Sequence, residues 1–289
     1  MSPGSDHRQP LLDRGAAAVA RRGRRPGLVA LGVVVLLVTA TAAAASPVPA
    51  PGSLADIHGP SPSTKVKNGL AKSPNWSGYA VTGPTGTFTS VSGSWVQPTA
   101  SCPVNQAQGA AFWVGIDGFA TSQVEQIGTD SDCNKGTKKV KGGPHYYAWW
   151  EIDTASSTSS VTIPDTVCPG DQLSATVTDS GGAFNLSITD TSVCGSSWNF
   201  NHAASLPSAP ASSAEWIAEA PSVCKSKCTP EKLADFGTVG FGGATANGTA
   251  VSAYPASQTK EIVMAKGKTI KAEPSGLSGS SFSVTWAHN

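Results

Sequence analysis

Leu173-Ser174-Ala175-Thr176-Val177 and Phe184-Asn185-Leu186-Ser187-Ile188 alternate apolar with polar residues, and Asp179-Ser180-Gly181-Gly182 stands between them. Successive side chains of a strand point to opposite faces, so each run buries one face and wets the other. Asp, Ser and Gly between two such runs mark a β-hairpin turn. Cys168 and Cys194 lie almost equidistant from that turn, so the hairpin sets them opposite each other at its open end. Closing a loop of roughly 26 residues contributes about 3.5 kcal/mol on a chain-entropy basis.

Outward from the hairpin the same period recurs, at Ser160-Val161-Thr162-Ile163 and at Ser281-Phe282-Ser283-Val284-Thr285-Trp286. Gly, Pro, Asn and Asp punctuate the chain about every eight to twelve residues, giving roughly 13 short segments with almost no helical period. One helical turn is expected at Thr229-Pro230-Glu231-Lys232, where Thr can cap and Pro fits the first position. No internal repeat is visible, which disfavours a propeller or solenoid. The reading is all-β: a two-sheet antiparallel β-sandwich of the jelly-roll kind.

The start of the chain differs in kind. Residues 1–27 are polar and basic, an uncharged apolar run follows over 28–45, and small residues then lead into Pro47 and Pro49. A basic region, an apolar core and a small-residue boundary read as an export signal. The run of about 18 residues would also just span a bilayer, so a retained membrane anchor is the competing reading of 1–45. Residues 46–71, rich in Pro and Ser, read as a pro-segment or linker, and 72–289 as the β-sandwich domain.

All six Cys (102, 133, 168, 194, 224 and 228) follow the export signal, an even count that favours disulfides in an exported chain. Beyond Cys168–Cys194, the expected pairs are Cys102–Cys133 and Cys224–Cys228. A zinc site is disfavoured, because the single C-x3-C has no second ligand pair nearby. All six Arg lie in the first 25 residues, and from Lys72 onward 12 Lys face 16 Asp and Glu, a formal net of −4. Such a domain lacks the basic footprint that phosphate backbones demand, so nucleic acid is excluded as a partner. With only 13% charged residues, self-repulsion stays small when carboxylates protonate, and acid is tolerable.

Thr178-Asp179-Ser180-Gly181-Gly182 looks like a serine-protease nucleophile segment, yet the hairpin turn explains it fully. No upstream His stands in a matching context, and neither G-x-S-x-G nor H-E-x-x-H occurs. Carboxylates are more informative. Strand parity sets Trp149 with Glu151 on one face, and Glu215, Ile217 and Glu219 on one face. An acid beside large aromatics is costly in a dry core but suits a cleft, where apolar walls raise a carboxyl toward acid–base use. A half-exposed strand with Trp and Glu on opposite faces remains the plain alternative. Periodicity alone does not single out Gln126.

Asn75-Trp76-Ser77-Gly78, Trp113-Val114-Gly115-Ile116-Asp117-Gly118, Gln126-Ile127-Gly128, Ala148-Trp149-Trp150-Glu151, Ala214-Glu215-Trp216-Ile217-Ala218-Glu219 and Ala234-Asp235-Phe236-Gly237 follow in order. Together these blocks resemble the glutamic peptidases (eqolisins). The resemblance implies a concanavalin-like sandwich of two seven-stranded antiparallel sheets and a secreted endopeptidase, acting on polypeptides as a monomer with no cofactor or metal. It implies a catalytic pair at Gln126 and Glu219, with Glu215 the alternative acid. Trp76, Gly78, Trp113, Asp117, Trp149, Glu151 and Glu215 would line or brace the substrate cleft. Tyr147 and Ile152-Asp153-Thr154 depart from the fungal members, and specificity is expected to differ there. The segment Asp130–Gly143, with four Lys, is read as a surface loop without a role. Two further readings are a carbohydrate-active or carbohydrate-binding sandwich, whose retaining chemistry needs carboxyls about 5–5.5 Å apart, and a non-catalytic exported domain.

Overall fold

The hairpin forms where the alternation puts it. In the computed structural model, which describes residues 56–57, 65–67, 70–119, 121–138, 141–153, 160–224 and 228–289, Gln172–Asp179 pairs antiparallel with Ala183–Thr191. Gly181 and Gly182 turn the corner at φ 66° and 88°, a region that costs other residues. Disulfides join Cys168 to Cys194 and Cys102 to Cys133. Cys228 is also disulfide-bonded, and the backbone register sets Cys224 opposite it.

In chain order the first strands are β1 (Asp56–Ile57), β2 (Lys65–Lys67), β3 (Leu70–Ser73), β4 (Trp76–Thr82), β5 (Ser90–Val96), β6 (Ala111–Ile116) and β7 (Val124–Asn134). Next come β8 (Gly143–Asp153), β9 (Val161–Thr166), the hairpin strands β10 and β11, β12 (Trp198–Ser205), β13 (Ser213–Glu219), β14 (Ser222–Cys224) and β15 (Cys228–Pro230). The last are β16 (Thr238–Ala246), β17 (Thr249–Ala250), β18 (Thr259–Lys266), β19 (Thr269–Pro274) and β20 (Phe282–Trp286).

Pairing resolves these into two layers of seven. One runs β9-β8-β7-β6-β13-β4-β18, the other β12-β11-β10-β5-β16-β20-β19. The β18–β19 hairpin joins them along one side, and β3 adds a parallel pairing to β18. Between the layers lies the main core, with Phe112, Val114, Ile127 and Trp216 from the first sheet against Trp95, Leu173, Val177, Leu186 and Phe241 from the second. At the side away from the seam, Trp150 of β8 stacks on His202 of β12 at 3.6 Å between ring centres. Gly78, at φ 146°, is required where β4 crosses β13, because a Cβ there would sit 2.1 Å from the Trp216 carbonyl oxygen.

Two expectations need correction. Thr229 and Pro230 end a strand instead of starting a helical turn. Thr229 pairs with Val223, and the Glu231 N–H donates to the Pro221 carbonyl at 2.8 Å, so cross-strand bonds supply what a helix would have. The supposed loop 130–143 begins and ends in strand: β7 continues to Asn134, and β8 starts at Gly143. No helix among the described residues is long and apolar enough to cross a membrane. The apolar run 28–45 and the export reading lie outside the described residues.

Candidate active site

Ile127, Trp216 and Ala218 face the inter-sheet core, so strand parity turns Gln126, Glu215, Ile217 and Glu219 to the far face of the first sheet. That face is buried too: Trp76, Trp113, Trp149 and Ile217 form a second apolar cluster there, with Tyr147 packed against it. Gln126, Glu151, Glu215 and Glu219 are all fully buried. Ladder partners run Glu151–Gln126–Gly115–Glu215 across β8, β7, β6 and β13, with Glu219 four residues beyond Glu215 on the same side. Two strand spacings, about 10 Å, separate β7 from β13. Gly115 and Gly128 add no side chain to that interval, and the Trp113 ring of β6 lies there instead, 3.1 Å from where a Gly115 Cβ would stand. At Gly128 a Cβ would lie 2.5 Å from that of Trp113.

Each Glu219 oxygen accepts its own N–H: Oε2 from the Trp113 indole at 2.8 Å, and Oε1 from the Asn75 amide at 3.0 Å. Two donors, one on each oxygen, fix the orientation of that carboxyl. Trp113 is in turn held edge-on by Trp76, with ring centres 4.9 Å apart. Gln126 Nε2 donates to Glu151 Oε2 at 3.2 Å. Farther along β7, Asp130 Oδ1 accepts from the Trp149 indole at 2.6 Å. The Tyr147 hydroxyl lies 2.8 Å from Asp130 Oδ2 and 3.1 Å from Asp132 Oδ2.

Glu215 is a different carboxyl. Among the described residues neither of its oxygens has a well-formed hydrogen-bond partner. Burial therefore pushes it well above the usual carboxylate range, and the nearby Ser213 hydroxyl and Phe119 backbone offset this only weakly. Asp117 braces a loop: its carboxylate accepts the Ala211 N–H at 2.6 Å, with the Ser212 N–H and hydroxyl both at 2.9 Å. Burial still raises it, even against those bonds. Glu125 points between the sheets beside Ile116, where burial first, and then Asp117, Asp179 and Asp153, raise it to about 9.

Of the residues expected in the cleft, Trp76, Trp113, Trp149, Glu151, Glu215, Gln126 and Glu219 share this one face, and Gly78 lets β4 approach β13 beneath it. Asn75, Asp130 and Asp132 were not expected there. For the two aspartates a signal existed, since Gln126, Gly128, Asp130 and Asp132 are spaced by two along one strand. Reading 130–143 as a loop hid it.

Carboxyls and a carboxamide collected on one face of a β-sandwich define the site of an acid–base hydrolase. Residues 74–286 match the model of the Peptidase A4 family, and the chain belongs to that family: it is a glutamic endopeptidase. A solved structure of scytalido-glutamic peptidase with a transition state analog inhibitor is 22% identical, with 74% of this chain and 98% of that one covered at a TM-score of 0.59. SCP-B, a member of the eqolisin family in complex with the tripeptide Ala-Ile-His, is likewise 22% identical over 74% and 98%, with a TM-score of 0.56. These two likenesses are likenesses of fold. Among curated proteins none matches.

Proposed function

We propose that the chain is an exported acid endopeptidase in which Gln126 and Glu219 activate one water against the scissile carbonyl. The observation that carries this reading is the pair of N–H donors on Glu219, on the face that also bears Gln126. Ionised Glu219 takes a proton from the water as it attacks. The Gln126 amide, oriented by Glu151, donates to the oxyanion, a contribution typically worth about 10²–10³ in rate. Glu219, now protonated, passes its proton to the leaving nitrogen. A carboxyl that must be ionised in one step and protonated in the next suits acidic pH, since an unperturbed glutamate titrates near about 4.3. Burial of Glu215 outweighs the Ser213 hydroxyl and Phe119 backbone near it and keeps it protonated, which supports Glu219 as the base. Trp76, Trp113, Trp149, Glu151 and Glu215 serve as walls of the cleft.

The test is hydrolysis of denatured casein across pH 2–6 by the parent protein and by Glu219→Gln, Gln126→Ala and Glu215→Gln. The first two should lose at least about 10²-fold in kcat while keeping the parent's circular dichroism. Glu215→Gln should retain turnover. An inert parent, or Glu215→Gln as the dead variant, overturns the assignment.

A further inference from the structure

On the side away from the β18–β19 seam, each sheet ends in an edge strand, β9 in the first and β12 in the second. The two edges differ. β9 carries Pro164, which has no N–H to offer, and Asp165, and its register to β8 slips between Tyr147 and Ala148. Proline, charge and irregular register are what keep an edge from pairing with another chain. β12 has none of these. It runs for 8 residues, Trp-Asn-Phe-Asn-His-Ala-Ala-Ser, in unbroken register with β11.

The register fixes which backbone groups of β12 are free. The Leu206 N–H donates to the Gly182 carbonyl at 2.8 Å, so that pair is bonded across β11 and β12. Antiparallel pairs alternate between bonded and non-bonded, so Trp198, Phe200, His202 and Ala204 bond to β11. Asn199, Asn201, Ala203 and Ser205 turn their N–H and C=O groups away from it. Among the described residues none of those outward groups has a hydrogen-bond partner. The same four residues carry the exposed, uncharged side chains of the strand. An edge of this kind accepts another extended strand, and its pattern selects a copy of itself. An antiparallel copy related by a two-fold axis at His202 sets Asn199 opposite Ser205 of the second copy and Asn201 opposite Ala203 of the second copy. All of these are bonded pairs, so this register uses every free group of both strands. A two-fold axis also sets a surface against itself, where any charge would meet its own sign, and the exposed residues of β12 bring none.

We propose that the free edge of β12 is a dimerisation edge: two copies of this chain pair β12 to β12, antiparallel about an axis at His202, and their second sheets continue as one. The axis stands perpendicular to that shared sheet, since the exposed residues of both strands stay on one side of it. The candidate active sites, on the far face of each first sheet, therefore open in the same direction. The dimer departs from the monomer that the family resemblance implies, and it does not depend on which residues carry out hydrolysis.

The experiment follows the full chain by sedimentation from about 1 to about 100 μM at neutral pH. Its mass should pass from that of one copy to that of two. Asn201→Pro removes an outward N–H and none that β11 uses, a place where an edge strand takes proline. Ala203→Lys sets like charges close to the axis. Both variants should keep the parent's circular dichroism and lose at least about tenfold in dimer affinity, while Asn201→Ala pairs as the parent does. Amide exchange in the parent gives a second reading. At Asn199, Asn201, Ala203 and Ser205 it should slow at least about tenfold from the dilute to the concentrated sample. A parent that stays a single copy across the range overturns the proposal. So does a dimer that survives both Asn201→Pro and Ala203→Lys, or one that leaves exchange at those four amides unchanged. If Asn201→Pro does not fold, Ala203→Lys and the parent's exchange still decide the matter.

Discussion

Glu219 and Glu215 are four residues apart on one face of one strand, and their surroundings separate them chemically. Glu219 is gripped by two well-formed N–H bonds, while for Glu215 burial outweighs what the Ser213 hydroxyl and the Phe119 backbone offer, so Glu215 is set up to stay neutral. This difference was illegible in Ala214–Glu219 itself, because Asn75 and Trp113 reach Glu219 from strands far away in sequence. Gln126 was equally opaque by period, and only the ordered blocks pointed to it. The donor arrangement gives a prediction for Trp113. Trp113→Phe keeps most of the ring but deletes the bond to Glu219, and bonds to charged groups are worth about 1.5–3 kcal/mol. Turnover should therefore fall about ten- to a hundredfold while the circular dichroism stays that of the parent. A variant that turns over like the parent would remove Trp113 from the positioning of Glu219.

Strands were legible wherever one face is wet. The alternation in β10, β11 and β20 follows from a second sheet that is buried on its inner side only. In the first sheet, β6, β7 and β13 are buried on both faces, so polar and apolar residues lose their simple period. The end of β7 was lost for that reason, since a strand reading Thr-Asp-Ser-Asp looks like a turn until its far face is known to be packed. Thr229-Pro230 misled for the opposite reason: its local capping chemistry is sound, and pairing with β14 overrides it. The tightest demand on an element is at Gly78. Gly78→Ala would drive a methyl group into the Trp216 carbonyl and hold β4 off β13. The loss should be about 2–4 kcal/mol, in the range of strained backbone sites, read as a lower midpoint in urea. An unchanged midpoint would mean that the two strands adjust freely at this crossing.

At the scale of the molecule, composition and turn spacing sufficed for two sheets, but the seam between them needed the register. The interior is acidic as well as apolar. Glu125 is raised to about 9 and Asp153 to about 7, both mainly by burial, and Glu215 is raised as well. A carboxyl whose folded pKa exceeds its unfolded one favours the fold fully below the unfolded value, near about 4. That advantage drains away as pH rises through about 7 for Asp153 and on toward about 9 for Glu125. The melting temperature should thus be highest in acid and decline toward neutrality. Glu125→Gln should flatten the decline, raising the midpoint at pH 7 by a few degrees for each kcal/mol recovered, about 2–4 °C at this size. A melting temperature that climbs from pH 4 to pH 7 would contradict this. The seam has its own consequence. With β18 and β19 binding the layers along one side, the sandwich resembles a book whose spine is a ladder of hydrogen bonds, while its fore-edge is held by Trp150 stacked on His202, by the Trp198 indole on the Thr166 carbonyl and by the Cys168–Cys194 disulfide. As the outermost leaf of its layer, β12 is laddered to β11 alone within one copy, so in dilute solution its amides should trade their hydrogens for deuterium before those along the spine.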